Sequence, residues 1–222
     1  MSIDVPAAPD KQVVSKKRVA DHGEVFTAKR EVDAMLDLVR DETQRIESRF
    51  LEPACGTGNF LVEILLRKLD VVASRYKKSH IEFERYAILA VSSIYGIDLL
   101  EDNAQTCRQR LFDTLNDCYL KNLKTHPSDE YVRAVKFILS RNIECGDALT
   151  LKTVGEDPKP IVFSEWSMVN GNIIRRDYAF HELVAQAAIT ELPLFSDLGD
   201  EVFIPEPVKE FPMMTINRIA DV

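Results

Sequence analysis

The chain has 222 residues, of which 45% are hydrophobic, and a formal net charge of −8 at pH 7. This length and composition fit one globular core with appendages. The acidic balance argues against a chain that binds a polyanion by itself, since phosphate neutralisation needs clustered Lys and Arg. No stretch approaches the ~18 consecutive apolar residues of a membrane span, and the N-terminus lacks the basic and then apolar order of a signal peptide.

The cysteines and the short basic runs carry no strong functional signal. The four cysteines are widely spaced, with neither a CxxC pair nor a Cys/His cluster: Cys55, Cys107, Cys118 and Cys145. This usage predicts a reduced, cytoplasmic compartment and no structural metal. The basic runs at residues 16–18 and 175–176 are short, and we predict that both are solvated surface.

The first part of the chain predicts a flexible arm followed by alternating helices and strands. Residues 1–20 lack periodicity and contain prolines, which favours a mobile arm. Thr27 is the predicted N-cap of a first helix, and a polar break follows at residues 40–48. The predicted strands are 49–53, 94–98 and 142–147, and the predicted helices between them are 59–75, 81–93, 101–122 and 129–140. Strands separated by helices indicate a right-handed parallel α/β sheet, with ligands at the carboxyl ends of the strands.

After Pro158 the pattern changes to a β-hairpin. Residues 161–169 and 172–180 are the predicted strands, and Asn170-Gly171 between them favours a type I′ turn. A short helix at 181–190 and an extended, Pro-containing tail that ends in a helical piece complete the chain. The predicted organisation is an arm at 1–20, a ligand-binding α/β domain at 21–155, a hairpin at 156–180 and a possible docking segment at 181–222.

The most informative segment is the decapeptide LEPACGTGNF at residues 51–60. It has the order of a strand, a tight turn and a helix start. Gly56 and Gly58 lack a Cβ, so the backbone can take positive φ and a small molecule can approach it closely. Glu52, at the end of the strand, is placed to accept hydrogen bonds from an amine. This combination fits S-adenosylmethionine (SAM), which carries cationic groups and no phosphate, better than a dinucleotide.

An acidic residue follows each of the three predicted parallel strands, namely Glu52, Asp98 and Asp147. An acid after the second strand is placed to bind both hydroxyls of a ribose, and the third acid lies near the adenine. Two structural interpretations stay open: Asp98 as a helix N-terminal acid, and Asp147 as a turn-forming residue.

These segments resemble a known family. The run at residues 25–27, the decapeptide, Tyr95-Gly-Ile-Asp98 and the run at residues 146–149 are similar to the SAM-binding half of the adenine-N6 DNA methyltransferases of restriction-modification systems. The resemblance implies a Rossmann-like SAM-dependent methyltransferase sheet, here incomplete, over about residues 22–150. It implies that Phe26 and Thr27 line the methionine end of SAM, that Asp98 with Leu99 binds the ribose, and that Asp147 with Ala148 binds the adenine. The backbone cradle would comprise Glu52, Pro53, Ala54, Cys55, Gly56, Gly58, Asn59 and Phe60.

The chain departs from that family at the catalytic motif. The family signature is Asn or Asp, two prolines and an aromatic residue, and this sequence contains no Pro-Pro pair. Glu165 and Trp166 are the nearest candidates by position, and we interpret them first as hairpin residues that pack and pair across strands, and second as a degenerate base platform. No catalytic residue is therefore assigned.

Three functions remain open on the sequence. The first is the SAM-binding part of an adenine-specific DNA methyltransferase, whose catalytic loop and DNA-reading domain come from a partner or a continuation. The second is a non-catalytic SAM-binding regulatory or partner subunit. The third is a self-sufficient methyltransferase on a protein or small molecule, with Glu165 or Asp177 as candidate bases.

Overall fold

The structure, a computed structural model, describes Arg18, Ala20 and residues 27–184 and 205–221. Within these ranges the chain is a mixed α/β protein with one four-stranded and one three-stranded sheet. The elements are α1 (Lys29–Asp37), α2 (Arg40–Thr43), β1 (Phe50–Glu52), α3 (Asn59–Tyr76), α4 (His80–Ser92), β2 (Ile94–Asp98), α5 (Glu101–Leu123), α6 (Asp129–Asn142), β3 (Ile143–Asp147), β4 (Lys152–Thr153), β5 (Val162–Val169), β6 (Asn172–Ala179), β7 (Lys209–Glu210) and a 3₁₀ helix (Ile216–Asp221).

The larger sheet has the order β1-β2-β3-β4. β1 pairs with β2 and β2 with β3 in parallel, whereas the two-residue β4 runs antiparallel to β3. Each parallel connection contains helices, as the alternating pattern predicts. The carboxyl ends of β1, β2 and β3 therefore meet along one edge of the sheet in adjacent order.

The predicted strands and helices from residue 49 to residue 180 are confirmed to within about two residues, and two predictions nearer the N-terminus are wrong. Ala28, not Thr27, is the N-cap of α1, and its N–H donates to the Glu31 carboxylate at 3.3 Å. The predicted polar break contains the short helix α2, because Thr43 is fully buried there and its hydroxyl bonds to the Arg40 carbonyl at 2.8 Å. The two-residue strands β4 and β7 were not predicted from the sequence.

Alternation along β2 divides the core between the two faces of the sheet. Ile94 belongs to the larger hydrophobic cluster, which the helices α3 to α6 build. Tyr95 and Ile97 point the other way, where they pack against Phe163 and Phe180 of the hairpin region. One face of the sheet is thus covered by helices, and part of the other is covered by the β5–β6 hairpin.

The hairpin closes with the predicted turn. Asn170 and Gly171 both have positive φ, 49° and 78°, as a type I′ turn requires. Trp166 is 6% exposed, and its indole N–H donates to the side-chain oxygen of Asn142 at 2.8 Å. The packing interpretation of Trp166 is therefore confirmed.

Asn142 ties the hairpin to the sheet. Its amide nitrogen donates to the carbonyls of Ser92 and Ile94 at 3.2 and 3.0 Å, while its oxygen accepts the Trp166 N–H. The side chain of Asn142 is fully buried. If it were removed, each of these three groups would lose its hydrogen-bond partner at a site that water does not reach.

The prediction that residues 175–176 form a solvated pair is wrong for Arg175. Arg175 is 6% exposed, and its guanidinium donates to Asp177 at 2.8 and 2.7 Å. It also lies 4.1 Å from the centroid of the Phe211 ring. Strand alternation explains the difference, because Arg175 faces inward and Arg176 faces outward, where it bonds to Glu210 at 3.0 Å.

Lys68 is a fully buried lysine on α3. Its ammonium donates to the carbonyls of Ile46 and Ser48 and to the hydroxyl of Ser93. Burial lowers the pKa of Lys68 to about 7, and the three oxygen acceptors hydrogen-bond the charged form when it is present.

We expect Asn142→Leu to lower the free energy of unfolding by about 3 kcal/mol, because it strands one buried donor and two buried carbonyls. Asn122→Leu on α5 is the control. Among the described residues, the Asn122 amide bonds to groups of Cys118 one turn earlier, so its replacement should change the free energy of unfolding by no more than about 0.5 kcal/mol. Urea denaturation measures the free energy of unfolding of both variants. An equal loss in the two would contradict the role of Asn142 in tying the hairpin to the sheet.

Lys68 predicts a specific pH dependence of stability. The unfolded side chain has the ordinary pKa of 10.5, so between about pH 7 and 10.5 the unfolded chain binds a proton that the folded chain does not. Stability should therefore rise from pH 7.5 to 9.5 by about 1 kcal/mol per pH unit and should be insensitive to this group below pH 7. Denaturation at several pH values should show this slope of the free energy of unfolding in the wild type but not in Lys68→Met. The same slope in both proteins would mean that other groups cause it.

Candidate functional site

A cavity of about 500 Å³ opens at the carboxyl ends of β1, β2 and β3. It is lined by Thr27, Glu52, Pro53, Ala54, Cys55, Gly56, Asn59, Phe60, Asp98, Leu99, Leu100, Asn103, Gly146, Asp147, Ala148 and Leu149. Twelve of the fourteen predicted binding residues are in this lining; Gly58 is not, and Phe26 lies outside the described residues. We call it the carboxylate cavity, after Glu52, Asp98 and Asp147.

The loop from residue 53 to residue 58, the Gly loop, depends on two glycines for different reasons. Gly56 has φ of 52° and lines the cavity. Gly58 has φ of 88° and caps α3, and a Cβ there would lie 2.6 Å from the Cys107 sulfur on α5. Gly58 therefore lets the loop pack closely on α5 instead of touching a ligand.

Asp98 joins the Gly loop to the start of α5. One carboxylate oxygen accepts the Gly56 N–H at 2.9 Å, and the other accepts the Leu100 N–H at 2.9 Å and the Asn103 amide at 3.1 Å. Three contacts leave part of the acceptor capacity of the carboxylate for a ligand. Asp98 is thus a loop-organising residue as well as a lining residue.

The other two acids are held less tightly. Asp147 accepts the Leu149 N–H and the Thr150 hydroxyl, both at 2.9 Å, and these bonds hold the pKa of Asp147 below its usual value. This is the turn-forming role that the sequence left open, and Asp147 also lines the cavity. Among the described residues, Glu52 accepts one long bond of 3.4 Å, from the Ala54 N–H. Both carboxylates keep free acceptor positions.

The charge of the cavity selects the kind of ligand that can bind. The described lining contains three carboxylates and neither Lys nor Arg. The N–H groups of Cys55, Gly56 and Gly58 already donate to Ile97, Asp98 and Cys55. Three carboxylates with no cation among the described lining residues favour a cationic ligand with hydroxyl and amine donors over a phosphate.

One face of α5 supports the cavity with residues that sequence reasoning missed. Asn103, Cys107 and Arg110 are spaced at i, i+4 and i+7 and contact Asp98, Gly58 and the Gly loop, respectively. Their spacing after Asp98 could have placed them on one face of the helix. Nothing in their residue types distinguishes a helix face that supports a loop from an ordinary buried face.

The candidate bases of the hairpin do not reach the cavity. Glu165 pairs with Arg49 at 2.5 Å, and Asp177 is 5% exposed and bonded to Arg175 and Ser164. Among the described residues, no group of three or more His, Cys, Asp or Glu side chains is arranged to hold a metal, and none of their helices is long and apolar enough to cross a membrane.

Comparisons of the chain with protein-family models, with characterised proteins and with solved structures find no match.

The approach of the Gly loop to α5 can be tested with Gly58→Ala. The new Cβ would meet the Cys107 sulfur at a backbone conformation that favours glycine, so we expect a loss of about 2–3 kcal/mol in the free energy of unfolding. Gly58→Ala in a Cys107→Ala background should lose less, because the sulfur is gone. Thermal or urea denaturation in the two backgrounds gives the coupling energy between residues 58 and 107. If the two substitutions lower the free energy of unfolding additively, the contact with Cys107 does not cause the loss in Gly58→Ala.

Proposed function

We propose that this chain binds SAM as the cofactor-binding part of an adenine-N6 DNA methyltransferase of the restriction-modification type, and that a partner subunit or a continuation supplies the catalytic loop and the DNA-reading domain. The observation that carries the proposal is the carboxylate cavity: three acids, no cation among the described lining residues, and the N–H groups of Cys55, Gly56 and Gly58 bonded within the protein. SAM, when bound, supplies an electrophilic methyl group on a cationic sulfur.

The residues present fit this cofactor in size, charge and donor-acceptor character. A cavity of about 500 Å³ lies within the range of roughly 300–1,000 Å³ of small-molecule sites. Glu52 and the Gly loop would hold the amino acid end, because the α-amino group is cationic. Asp98 and Asp147 would accept from ribose hydroxyls and from the adenine amine, with Leu99, Ala148 and Leu149 as apolar neighbours of the base.

The topology supports the finer assignment to the Rossmann-like methyltransferase sheet. β1, β2 and β3 are adjacent and parallel, and each ends in one of the three acids. In open α/β sheets, ligands bind outside the carboxyl ends of the strands.

The side of β1 that no described strand pairs with supports the need for another strand there. Among the described strands, only β2 pairs with β1. In that register the backbone N–H and C=O of Leu51 point away from β2, and the Leu51 side chain is 42% exposed. Beside it lies a second cavity of about 530 Å³, lined largely by apolar and aromatic residues that include Phe50, Tyr95 and Phe163. An added strand would pair with this edge and cover apolar surface.

The second candidate, a non-catalytic SAM-binding partner subunit, is favoured by the burial of Trp166 in the hairpin. Trp166 is buried against Asn142 and cannot stack on a base, which removes the degenerate base platform. The third candidate, a self-sufficient methyltransferase on another substrate, loses support because Glu165 and Asp177 are engaged in ion pairs outside the carboxylate cavity. Methyl transfer to DNA after addition of a partner separates the first candidate from the second.

Calorimetric titration with SAM tests the binding itself. We expect micromolar affinity, which corresponds to roughly −8 kcal/mol. Asp98→Ala should weaken binding by about 1.5–3 kcal/mol, the scale of a charged hydrogen-bond partner, and Gly56→Val should also weaken it by crowding the loop.

Asp117→Ala is the matched control for the acidic change. Asp117 is an exposed acid farther along α5 and does not line the cavity. It should leave the affinity for SAM unchanged within about twofold, because exposed acids contribute little at a distance. Absence of SAM binding, or equal affinity of the wild type and both site variants, overturns the proposal.

A further inference from the structure

We infer that Arg110, which does not line the carboxylate cavity, is a positioning residue that holds the Gly loop and the segment before α1 in their binding geometry. It lies on α5, two turns past Asn103, and its side chain reaches the outer side of the Gly loop. The role in SAM binding rests on the proposed function, whereas the role in loop geometry does not.

The contacts of Arg110 converge on the loop from one nitrogen. Its Nη1 donates to the Thr57 carbonyl at 2.7 Å, to the Thr57 hydroxyl at 3.1 Å and to the Asn59 side-chain oxygen at 2.8 Å. Two of these acceptors belong to the last loop residue before Gly58, and the third belongs to the first residue of α3. The joint between the Gly loop and α3 is therefore fastened to α5 on its outer side.

The same bond orients Asn59 toward the N-terminal segment. Because the Asn59 oxygen accepts from Arg110, its amide nitrogen faces the Thr27 carbonyl and donates to it at 3.0 Å. Thr27 and Asn59 both line the carboxylate cavity, whereas Arg110 does not. A change at Arg110 should therefore reach two walls of the cavity without removing a lining group.

Arg108 on the same helix provides a contrast. Its guanidinium donates to the Ile143 carbonyl at 2.9 and 2.6 Å and pairs with Glu101, away from the Gly loop. Arg110 forms no carboxylate pair with any described residue. Both are half-buried arginines on α5 that donate to backbone carbonyls, but of the two only Arg110 donates to a cavity-lining side chain, that of Asn59. Arg108→Met is therefore a matched control for general loss of an α5 arginine.

The loop geometry can be measured without SAM through Cys55, a lining residue of the Gly loop that is 6% exposed and whose sulfur lies against Gly96 of β2. We compare alkylation by N-ethylmaleimide in the wild type, Arg110→Met, Arg110→Lys and Arg108→Met, with site-resolved mass spectrometry. Cys118, a partly exposed thiol near the far end of α5, is the internal reference for changes away from the Gly loop. Arg110→Met should label Cys55 at least about tenfold faster, the effect of one lost charged hydrogen bond on loop opening, with Cys118 unchanged. Arg110→Lys should lie near the wild type, because one ammonium can serve the acceptors that one guanidinium nitrogen serves.

The second measurement is the dissociation constant of SAM for the same four proteins. Arg110→Met should weaken binding by about tenfold to a hundredfold, Arg110→Lys should restore most of the affinity, and Arg108→Met should match the wild type. If no protein binds SAM but Cys55 labelling still separates Arg110→Met from Arg108→Met, the proposed function fails and the loop role stands.

Equal Cys55 labelling in Arg110→Met and Arg108→Met overturns the inference, as does acceleration of Cys118 to the same extent as Cys55. Should Arg110→Met fail to fold, Arg110→Gln decides the matter, because its shorter side chain does not reach Thr57 and Asn59 but keeps a polar group on the helix. Faster labelling of Cys55 in Arg110→Gln than in Arg108→Gln supports positioning, and equal labelling contradicts it.

Discussion

The carboxylate of Asp98 is the contact on which the carboxyl edge of the sheet depends. Parallel strands bring their loops together at one edge, but loops lack the regular hydrogen bonds that strands and helices supply to their own backbones. Asp98 provides acceptors to the Gly loop on one side and to the start of α5 on the other. A residue that a ligand would use is therefore also the residue that sets the shape of the site.

The support for that edge comes from α5 more than from the sheet. Asn103 reaches Asp98, Cys107 packs against Gly58, and Arg110 holds Thr57 and Asn59. α5 begins at the end of β2, directly after Asp98, and extends along the outer side of the Gly loop. A single helix therefore fixes the position of the Gly loop relative to Asp98. Mutations on this face should change the site through geometry, whereas mutations of the lining acids change its charge.

The parts of the fold that could be predicted are those with a local physical signal. Ile94–Asp98 is a β-branched run that ends in an acid, and Asn170-Gly171 is a turn sequence whose backbone requires positive φ. Cavity-lining residues of the Gly loop were predictable for the same reason, since the glycines and the acid lie within a few residues of each other.

The sequence-based predictions fail for residues whose surroundings depend on partners far away in the sequence. Arg175 is buried because Asp177 and the ring of Phe211 surround it, and a basic dipeptide in the sequence does not show either. Thr43 is buried in α2 within a charge-rich stretch that lacks apolar periodicity. Arg110 lies fifty-three positions after Thr57, so only the fold connects the two.

The edge of β1 that no described strand pairs with also bears on how the chain avoids joining with unrelated strands. Exposed sheet edges are templates for unspecific pairing, and proteins restrict them with very short strands, charged side chains and proline. β1 is three residues long, it follows the 59%-exposed side chain of Arg49, and it is followed by Pro53. A strand that added here would pair with the backbone of little more than Leu51. Selectivity at this edge must therefore come from side chains that fill the neighbouring aromatic cavity, so a flat strand with no matching side chains would gain little by pairing there.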